Sequence, residues 1–345
     1  MPEPTQPPGK KRVSTTALVI LCGLLLLLSL AAVIFPVVRE VRFIERMESE
    51  GFWVDNAAST KFEGGPFDRW RGRARRIDDY ESNQPKALPS LRPLRNSPNL
   101  TTIDLKKTPM TQDHLAQLGV LKNLGLFELD SQVTPDFATR LPRHFPNLEY
   151  FRIPLDSDNI EALSRTPVTW RQNIDNIACQ PSSVLDGNDI GTLVDAFPNL
   201  MDIDFNGSYL KRADLTILAN KPFNTVYLDQ SKADLSQLRG CEMGYLSLRD
   251  NQYESADLAP LAGSRINGLN IGKNPLLDDQ VVPTLLAIKT LQVLSLEGIS
   301  LTADGYAILA KHPSLKNIYI SPKPPLSEPT KALLKANKIH VELSD

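Results

Sequence analysis

A short apolar phrase, L-x-x-L-x-L, recurs ten times in this chain and limits the folds that are open to it. Any aliphatic residue, Phe or Cys is accepted at its three apolar positions, and the copies begin at residues 100, 124, 148, 174, 200, 223, 243, 266, 291 and 315. Successive copies start 20 to 26 residues apart. Self-similarity at such a period predicts a solenoid in which each unit stacks on the next.

The segments between these phrases have a second recurring pattern. In TQDHLAQL, TPDFATRL, ADLSQL and TADGYAILA, a Thr, Asp or Asn precedes apolar residues three or four positions apart, which predicts a capped short helix. Proline stands just before the phrase at Pro98, Pro146, Pro198 and Pro313, where it removes no needed backbone donor. Each unit is therefore predicted to be a strand, a turn and a helical return, with the strands parallel and in register.

These units resemble those of the leucine-rich repeat family over residues 98–320, about two thirds of the chain. They are most similar to bacterial membrane-anchored members with L-T-D-x-x-L-x-x-L after the strand, of which Leu301–Leu309 is the nearest copy. The resemblance implies an α/β horseshoe with a parallel sheet on its concave face and short helices on its convex face. It also implies an interaction framework.

The chain departs from that family at the position after the strand, where a ladder of asparagines is common. Asparagine stands there only at Asn251 and Asn274, and the equivalent positions hold Thr108, Gln132, Ser182, Ser208 and Ser231. This predicts either a looser stack of turns or one that is hydrogen-bonded by hydroxyl groups.

A membrane anchor is predicted at the amino terminus. Residues 13–38 are uncharged, and a helix of that length exceeds the ~30 Å hydrocarbon core of a bilayer. The Pro-rich and basic residues 1–12 precede this transmembrane helix and predict a cytoplasmic tail, with the bulk of the chain extracytoplasmic. Arg39, Arg42 and Arg46 follow the segment and equal the preceding basic cluster in number, and Ser29-Leu30-Ala31 leaves a cleaved signal peptide as the alternative.

The remaining chain divides into three predicted parts. Residues 39–75 form a juxtamembrane stalk and an amino-terminal cap, residues 76–320 the repeats, and residues 321–345 a carboxy-terminal cap. Arginines cluster around Trp70, either as a solvated part of the cap or as a contact for anionic head groups. The segment 331–337 is predicted to be helical, and apolar alternation over residues 339–343 predicts a last edge strand.

Composition and motifs exclude several functional classes. The net charge of −2 lacks the basic excess expected of a nucleic-acid-binding protein. Cys179 is at a core strand position and Cys241 follows a helical return several repeats away, so both are predicted to be buried thiols without a disulfide or zinc site. The run from Asp202 to Gly207 opens like a calcium loop, but its twelfth position is Ala213. No catalytic, metal or cofactor-binding residue is predicted, and the chain is not expected to be an enzyme.

The predicted partner-binding surface consists of the residues between the phrase positions, which face away from the core. Tyrosine and arginine are enriched among binding hot spots, and acidic residues favour a cationic partner region. The predicted partner-binding residues are Tyr150, Arg152, Asp202, Asp204, Tyr227, Tyr245 and Tyr319. The predicted function is non-catalytic binding of a protein or polymer by a single-pass membrane protein, and the alternative is an envelope scaffold for cell-wall polymer or neighbouring proteins.

Overall fold

A large, mainly parallel sheet forms the central feature of the fold. The computed structural model describes residues 42–49, 52–56, 74–79, 87–129, 131, 133–181, 183–299, 301–321 and 326–343. Strand β1 pairs antiparallel with β2, and β2 begins a run of twelve parallel neighbours. The strands of this sheet, in spatial order, are β1 Trp53–Asn56, β2 Ala74–Asp78, β3 Thr102–Leu105, β4 Leu126–Leu129, β5 Tyr150–Ile153, β6 Asn176–Cys179, β8 Asp202–Asp204, β10 Phe223–Tyr227, β11 Glu242–Ser247, β12 Arg265–Asn270, β13 Val293–Leu296, β14 Asn317–Ile320 and β15 His340–Leu343.

Short helices connect most of these strands, and the predicted alternation of strand and helical return is confirmed. The α-helices span residues 42–49, Gln112–Leu118, Pro135–His144, Ser157–Ser164, Val168–Arg171, Asp189–Ala196, Thr216–Asn220, Val282–Ala287, Ala303–Leu309 and Glu328–Ala336. The 3-10 helices span Arg92–Leu94, Leu235–Leu238, Ala259–Leu261 and Asp279–Val281. The side chains of Thr111, Thr134 and Thr302 accept backbone N–H groups as N-caps. The shortest unit, which begins at Phe223, has only a 3-10 return.

The core lies between the sheet and these helices. The phrase residues of each strand point towards it, as Ile103 and Leu105 do on β3, both 1% exposed. Leu115 and Leu118 of the following helix meet them at 0% exposure. One continuous cluster of buried apolar side chains joins all the units, because each unit alone has too little apolar surface to bury.

A second, two-stranded parallel sheet was not predicted. It consists of β7 (Val184–Gly187) and β9 (Tyr209–Ala213), in which Val184 pairs with Tyr209. Leu185 and Leu210 are fully buried while Val184 and Tyr209 are exposed, so these segments alternate like strands. This alternation covers only four or five residues in each segment and does not recur along the chain, so it is a weaker sequence signal for a strand than the phrase that recurs ten times.

Asparagine side chains join neighbouring units on the amino-terminal side of the strands, which the sequence reading missed. Asn123 donates to the Pro98 carbonyl at 2.5 Å, Asn147 to that of Lys122 at 2.9 Å, and Asn199 to that of Gln172 at 2.7 Å. Asn173 makes the same bond to Pro146. We call these four residues the first asparagine ladder.

Amide groups join some of the turns after the strands to the neighbouring unit, and a hydroxyl group joins another. Asn251 donates to the Leu228 carbonyl and Asn274 to that of Leu248. These are bonds of the kind expected from an asparagine ladder after the strands. Ser208 donates to the Gln180 carbonyl of the preceding unit, which confirms hydroxyl bonding between units at that position. Ser231 donates to Leu228 within its own turn, and the buried hydroxyl of Thr108 has no hydrogen-bond partner among the described residues, so the prediction was wrong there. Two other predicted positions, residues 132 and 182, lie outside the described residues.

Different elements lie at the two ends of the sheet: a helix at the amino-terminal end, and a helix followed by an edge strand at the carboxy-terminal end. Phe43, Ile44 and Met47, on the helix over residues 42–49, are buried in the shared core cluster. The helix and strand expected near the carboxyl end are present as Glu328–Ala336 and β15. The predicted tail at residues 1–12 and the transmembrane helix at residues 13–38 lie outside the described residues.

None of the helices in the described part of the chain combines the length and apolar character needed to span a membrane.

Buried His312 is expected to make the stability of the protein dependent on pH. Its Nδ1 accepts the N–H groups of Ser314 and Leu315, and its Nε2 lies 3.1 Å from the Ile288 carbonyl, so the fold holds the neutral ring. Burial lowers its pKa below 6.5, and the charge of Lys289 lowers it further. The contribution of this ring to stability is therefore complete above the unfolded pKa and is lost as pH falls through the lower folded pKa.

We expect His312→Asn to reduce the loss of stability on acidification, because the amide oxygen can accept where the imidazole Nδ1 accepts and the amide does not titrate. Urea unfolding at about pH 7.5 and about pH 5 would measure the difference for each protein. His340→Asn is the matched control, since the His340 side chain is 68% exposed. An unchanged pH dependence in the His312 variant would contradict the prediction.

Candidate functional site

The face of the sheet opposite the core, here called the open face, has two aligned columns of side chains. Pairing of neighbouring strands places residues 76, 102, 126, 150, 176, 202, 225, 245, 268, 293, 317 and 340 in the first column. The second column consists of the residues two positions later on each strand. With a spacing of about 4.8 Å per strand, twelve strands extend over about 53 Å.

Charged residues alternate in sign at the amino-terminal end of the open face. Asp78, Asp104 and Glu128 are direct neighbours in the second column, and each is at most 9% exposed. Arg76 bridges Asp78 and Asp104 at 2.9 and 3.1 Å, and Lys106 bridges Asp104 and Glu128 at 3.3 and 3.1 Å. These ion pairs offset the repulsion between three adjacent carboxylates.

Burial and the neighbouring charges together shift two pKa values in this cluster. Burial raises the pKa of Asp104, and the negative charge of Glu128 raises it further, against the effect of Lys106. The pKa of Lys106 is lowered by burial, but Glu128 and Asp104 together outweigh that effect and the net shift is upward. The ammonium group is therefore held in its charged form by the carboxylates it bridges.

The predicted residues on β5 and β8 lie at the centre of the open face. Burial raises the pKa of Tyr150, and the charge of Glu128 adds to that shift. Arg152 is opposite Glu128 on one side and Ala178 on the other. Asp204 follows Ala178 in the column; burial raises its pKa, while the Asn206 N–H at 2.8 Å and the charge of Arg152 oppose the shift.

An aromatic pair stands beside these carboxylates. The ring centroids of Tyr227 and Tyr245 are 5.9 Å apart, with the ring planes inclined at 57°. Gly268 is the neighbour of Tyr245 in the first column, and a Cβ there would come within 2.6 Å of its Cδ2, so glycine leaves room for the ring. Tyr227 is 37% exposed, and its pKa is raised by burial and then by Asp204, Asp202 and Asp229.

Six of the seven predicted residues thus lie close together. They form one strip across five successive strands of the sheet, with β6 lying between β5 and β8. The residues are Tyr150 and Arg152 on β5, Asp202 and Asp204 on β8, Tyr227 on β10 and Tyr245 on β11. We call these six residues the central strip. Tyr319 lies on β14, separated from Tyr245 by β12 and β13. The structure therefore assigns Tyr319 to the open face but not to the central strip.

A groove at the amino-terminal ends of β3 to β6 adjoins the central strip. It has a volume of about 760 Å³ and includes Tyr150 and Glu128 in its wall. Sequence reasoning missed most of its other residues, since they precede the columns. The signals for most of them are the recurring positions directly before and directly after the first phrase residue. The remaining lining residues are Thr101, Lys122, Asn123, Gly125, Leu126, Asn147, Glu149, Asp175 and Asn176.

The chemistry of the open face is that of charged and aromatic contact. Within the described ranges, no group of three or more His, Cys, Asp or Glu side chains is arranged to hold a metal ion. Cys179 and Cys241 are both free and buried, as predicted, and burial raises the pKa of each thiol. A buried thiol with a raised pKa is a core residue and a poor nucleophile.

The fold and the open face define an α/β protein with an extended parallel sheet. No protein-family model matches the chain, and it matches no curated protein.

Proposed function

We propose that this chain is a single-pass membrane protein whose leucine-rich repeat solenoid binds a partner protein through the open face of the sheet, without catalysis. The proposal rests on the central strip, because six residues of types suited to binding lie on β5, β8, β10 and β11, with only β6 between β5 and β8. In this proposal the sheet is the concave surface, and the uncharged residues 13–38 anchor the chain with the repeats outside the cytoplasm.

The charge of the central strip favours a partner with a basic segment. Asp202, Asp204 and Asp229 all act on Tyr227, and the nearest guanidinium in the strip, Arg152, stands between Glu128 and Ala178. A lysine or arginine of the partner would meet carboxylates and aromatic faces together there, which stabilises a cation by charge attraction and by cation–π contact. A partner of that kind binds more weakly as ionic strength rises.

The test is crosslinking and affinity capture of the full chain from intact membranes, comparing the natural protein with Asp202→Lys/Tyr227→Ala. We expect the capture of one specific protein to fall by about tenfold or more, because each change removes a contact of the hot-spot kind. The matched control is Asp304→Lys/Ile308→Ala on the helix side, where Ile308 is 44% exposed.

An identical set of captured proteins in the natural chain and the open-face variant would contradict the proposal. Equal losses in both variants would do the same, since the effect would then come from net charge. Capture of cell-wall polymer in place of a protein would favour the scaffold alternative.

A further inference from the structure

A second cavity lies on the helix side of the first units, away from the open face. Its volume is about 370 Å³. The residues that line it come from the segment after the 3-10 helix Arg92–Leu94, from the end of the helix Gln112–Leu118 and from the helix Pro135–His144. Three consecutive helical returns therefore contribute to one cavity.

The charged residues that line this cavity are all basic. They are Arg95, Arg140, Arg143 and His144, and no carboxylate is among the lining residues. Arg140 pairs with Asp136 at 2.8 Å, whereas Arg95 and Arg143 have no acidic partner within the described part of the chain. Burial lowers the pKa of His144, and Arg143 and Arg140 lower it further, as expected where positive charges converge.

The helix dipole accounts for only some of the basic residues that line this cavity. Arg143 and His144 lie in the last turn of their helix, where cations are favoured. Arg95 comes from the first of the three returns. Its side chain lies so close to Gly119 that a Cβ on Gly119 would be 3.1 Å from the Cγ of Arg95. Gly119 has a φ of +67° and a Cβ on it would collide with Asn96 Oδ1, so both its backbone conformation and the space beside Asn96 favour glycine.

The wall opposite the helix is held in place by hydrogen bonds. The side-chain Oδ1 of Asn96 accepts the N–H of Val120 at 2.7 Å, and the N–H of Asn96 donates to the Leu118 carbonyl. His144 Nδ1 lies 2.5 Å from the Gly119 carbonyl. These bonds fix the spacing between neighbouring units, so the arginines are presented from ordered backbone.

We propose that this cavity, which we call the basic cavity, binds a phosphate group, either free or as the headgroup of an anionic lipid. The planar guanidinium group matches phosphate oxygens with paired N–H donors, and Arg95 and Arg143 have those donors available. An anion between them also removes the mutual repulsion of the arginines. This inference does not depend on the function proposed for the open face.

The first measurement is titration of the full chain in zwitterionic nanodiscs with inorganic phosphate, at constant ionic strength, by calorimetry and thermal denaturation. We expect saturable binding and a rise in the Tm, since a ligand of the folded state stabilises it. In Arg95→Gln/Arg143→Gln we expect affinity to fall by about tenfold or more, because charge-assisted bonds from both arginines are lost.

The matched control is Arg165→Gln/Arg265→Gln, which removes the same charge from arginines paired with Glu161 and Glu242 elsewhere. This variant should bind phosphate as the natural chain does. Equal weakening in both double variants would overturn the proposal, because the effect would then come from net charge.

Nanodiscs with phosphatidylglycerol distinguish the two sources of the phosphate group. If the headgroup is the ligand, anionic discs should raise the Tm of the natural chain and the control, but not that of the cavity variant, and should suppress phosphate binding. If free phosphate is the ligand, its affinity should be the same in both kinds of disc. Absence of saturable binding to phosphate together with absence of stabilisation by anionic discs would refute the proposal.

Discussion

Replacing Asn274 by leucine is expected to lower the free energy of unfolding by about 3–5 kcal/mol. Asn274 is 0% exposed, and its amide nitrogen donates to the carbonyls of Leu248 and Ile271 at 2.9 and 2.8 Å. Its oxygen accepts the N–H groups of Asn251 and Tyr253. Leucine has a similar size but would leave all four backbone groups buried without these partners.

Denaturant unfolding followed by both fluorescence and far-UV circular dichroism would measure this loss, with agreement of the two signals as the test for a single transition. Asn317→Leu is the control, because Asn317 lies half-buried on the open face. That change should alter stability by no more than about 0.5 kcal/mol. Equal losses in the two variants would show that the ladder bonds of Asn274 do not account for the effect.

Replacing Phe151 by alanine should cost about 3–5 kcal/mol, because a large cavity would form in the core. Phe151 is fully buried, and its ring centroid is 5.7 Å from that of Phe197 and 6.4 Å from that of Trp170. The Trp170 indole is itself fixed by a hydrogen bond to the Phe145 carbonyl at 2.8 Å. The loss therefore extends to residues of three neighbouring units.

The same unfolding measurement applies. The tryptophan emission of the chain, to which Trp53 and Trp70 also contribute, should shift to longer wavelength as the surroundings of Trp170 become accessible to water. Tyr209→Ala is the control for removal of an aromatic ring, since Tyr209 is 46% exposed. A control that loses as much stability as Phe151→Ala would indicate that backbone strand preference, and not the core cavity, is responsible.

The parallel sheet could be predicted from sequence because its phrase repeats the same alternation ten times. Each copy assigns residues such as Ile103 to the core and Asp104 to the open face, and stacking then brings Asp104 beside Glu128 without further information. Hence the position of each central-strip residue on the open face could be predicted, while its role in binding stays a prediction. Tyr319 was predicted on the correct face, but two strands, β12 and β13, separate it from the central strip.

The features that the sequence did not predict depend on contacts between different units. The first asparagine ladder requires the amide of Asn147 to meet the Lys122 carbonyl, 25 residues earlier. Asparagine does recur directly before the phrase, but that recurrence does not identify the carbonyl that it meets. The basic cavity likewise joins Arg95 to Arg143 across two connections. Gly268 has a clear role only when the ring of Tyr245 is placed beside it.

The alignment of the columns also bears on how such a chain could lengthen or shorten. Units of 20 to 26 residues all deliver their strands in the same register, so the connections absorb every difference in length. Gain or loss of one entire unit would change the width of the open face by one strand spacing, about 4.8 Å, and would keep each surviving side chain on its face. Gain or loss of a single residue inside a strand would instead exchange core and surface. Duplication of whole units is thus the route by which the reach of this surface can change while its core is preserved.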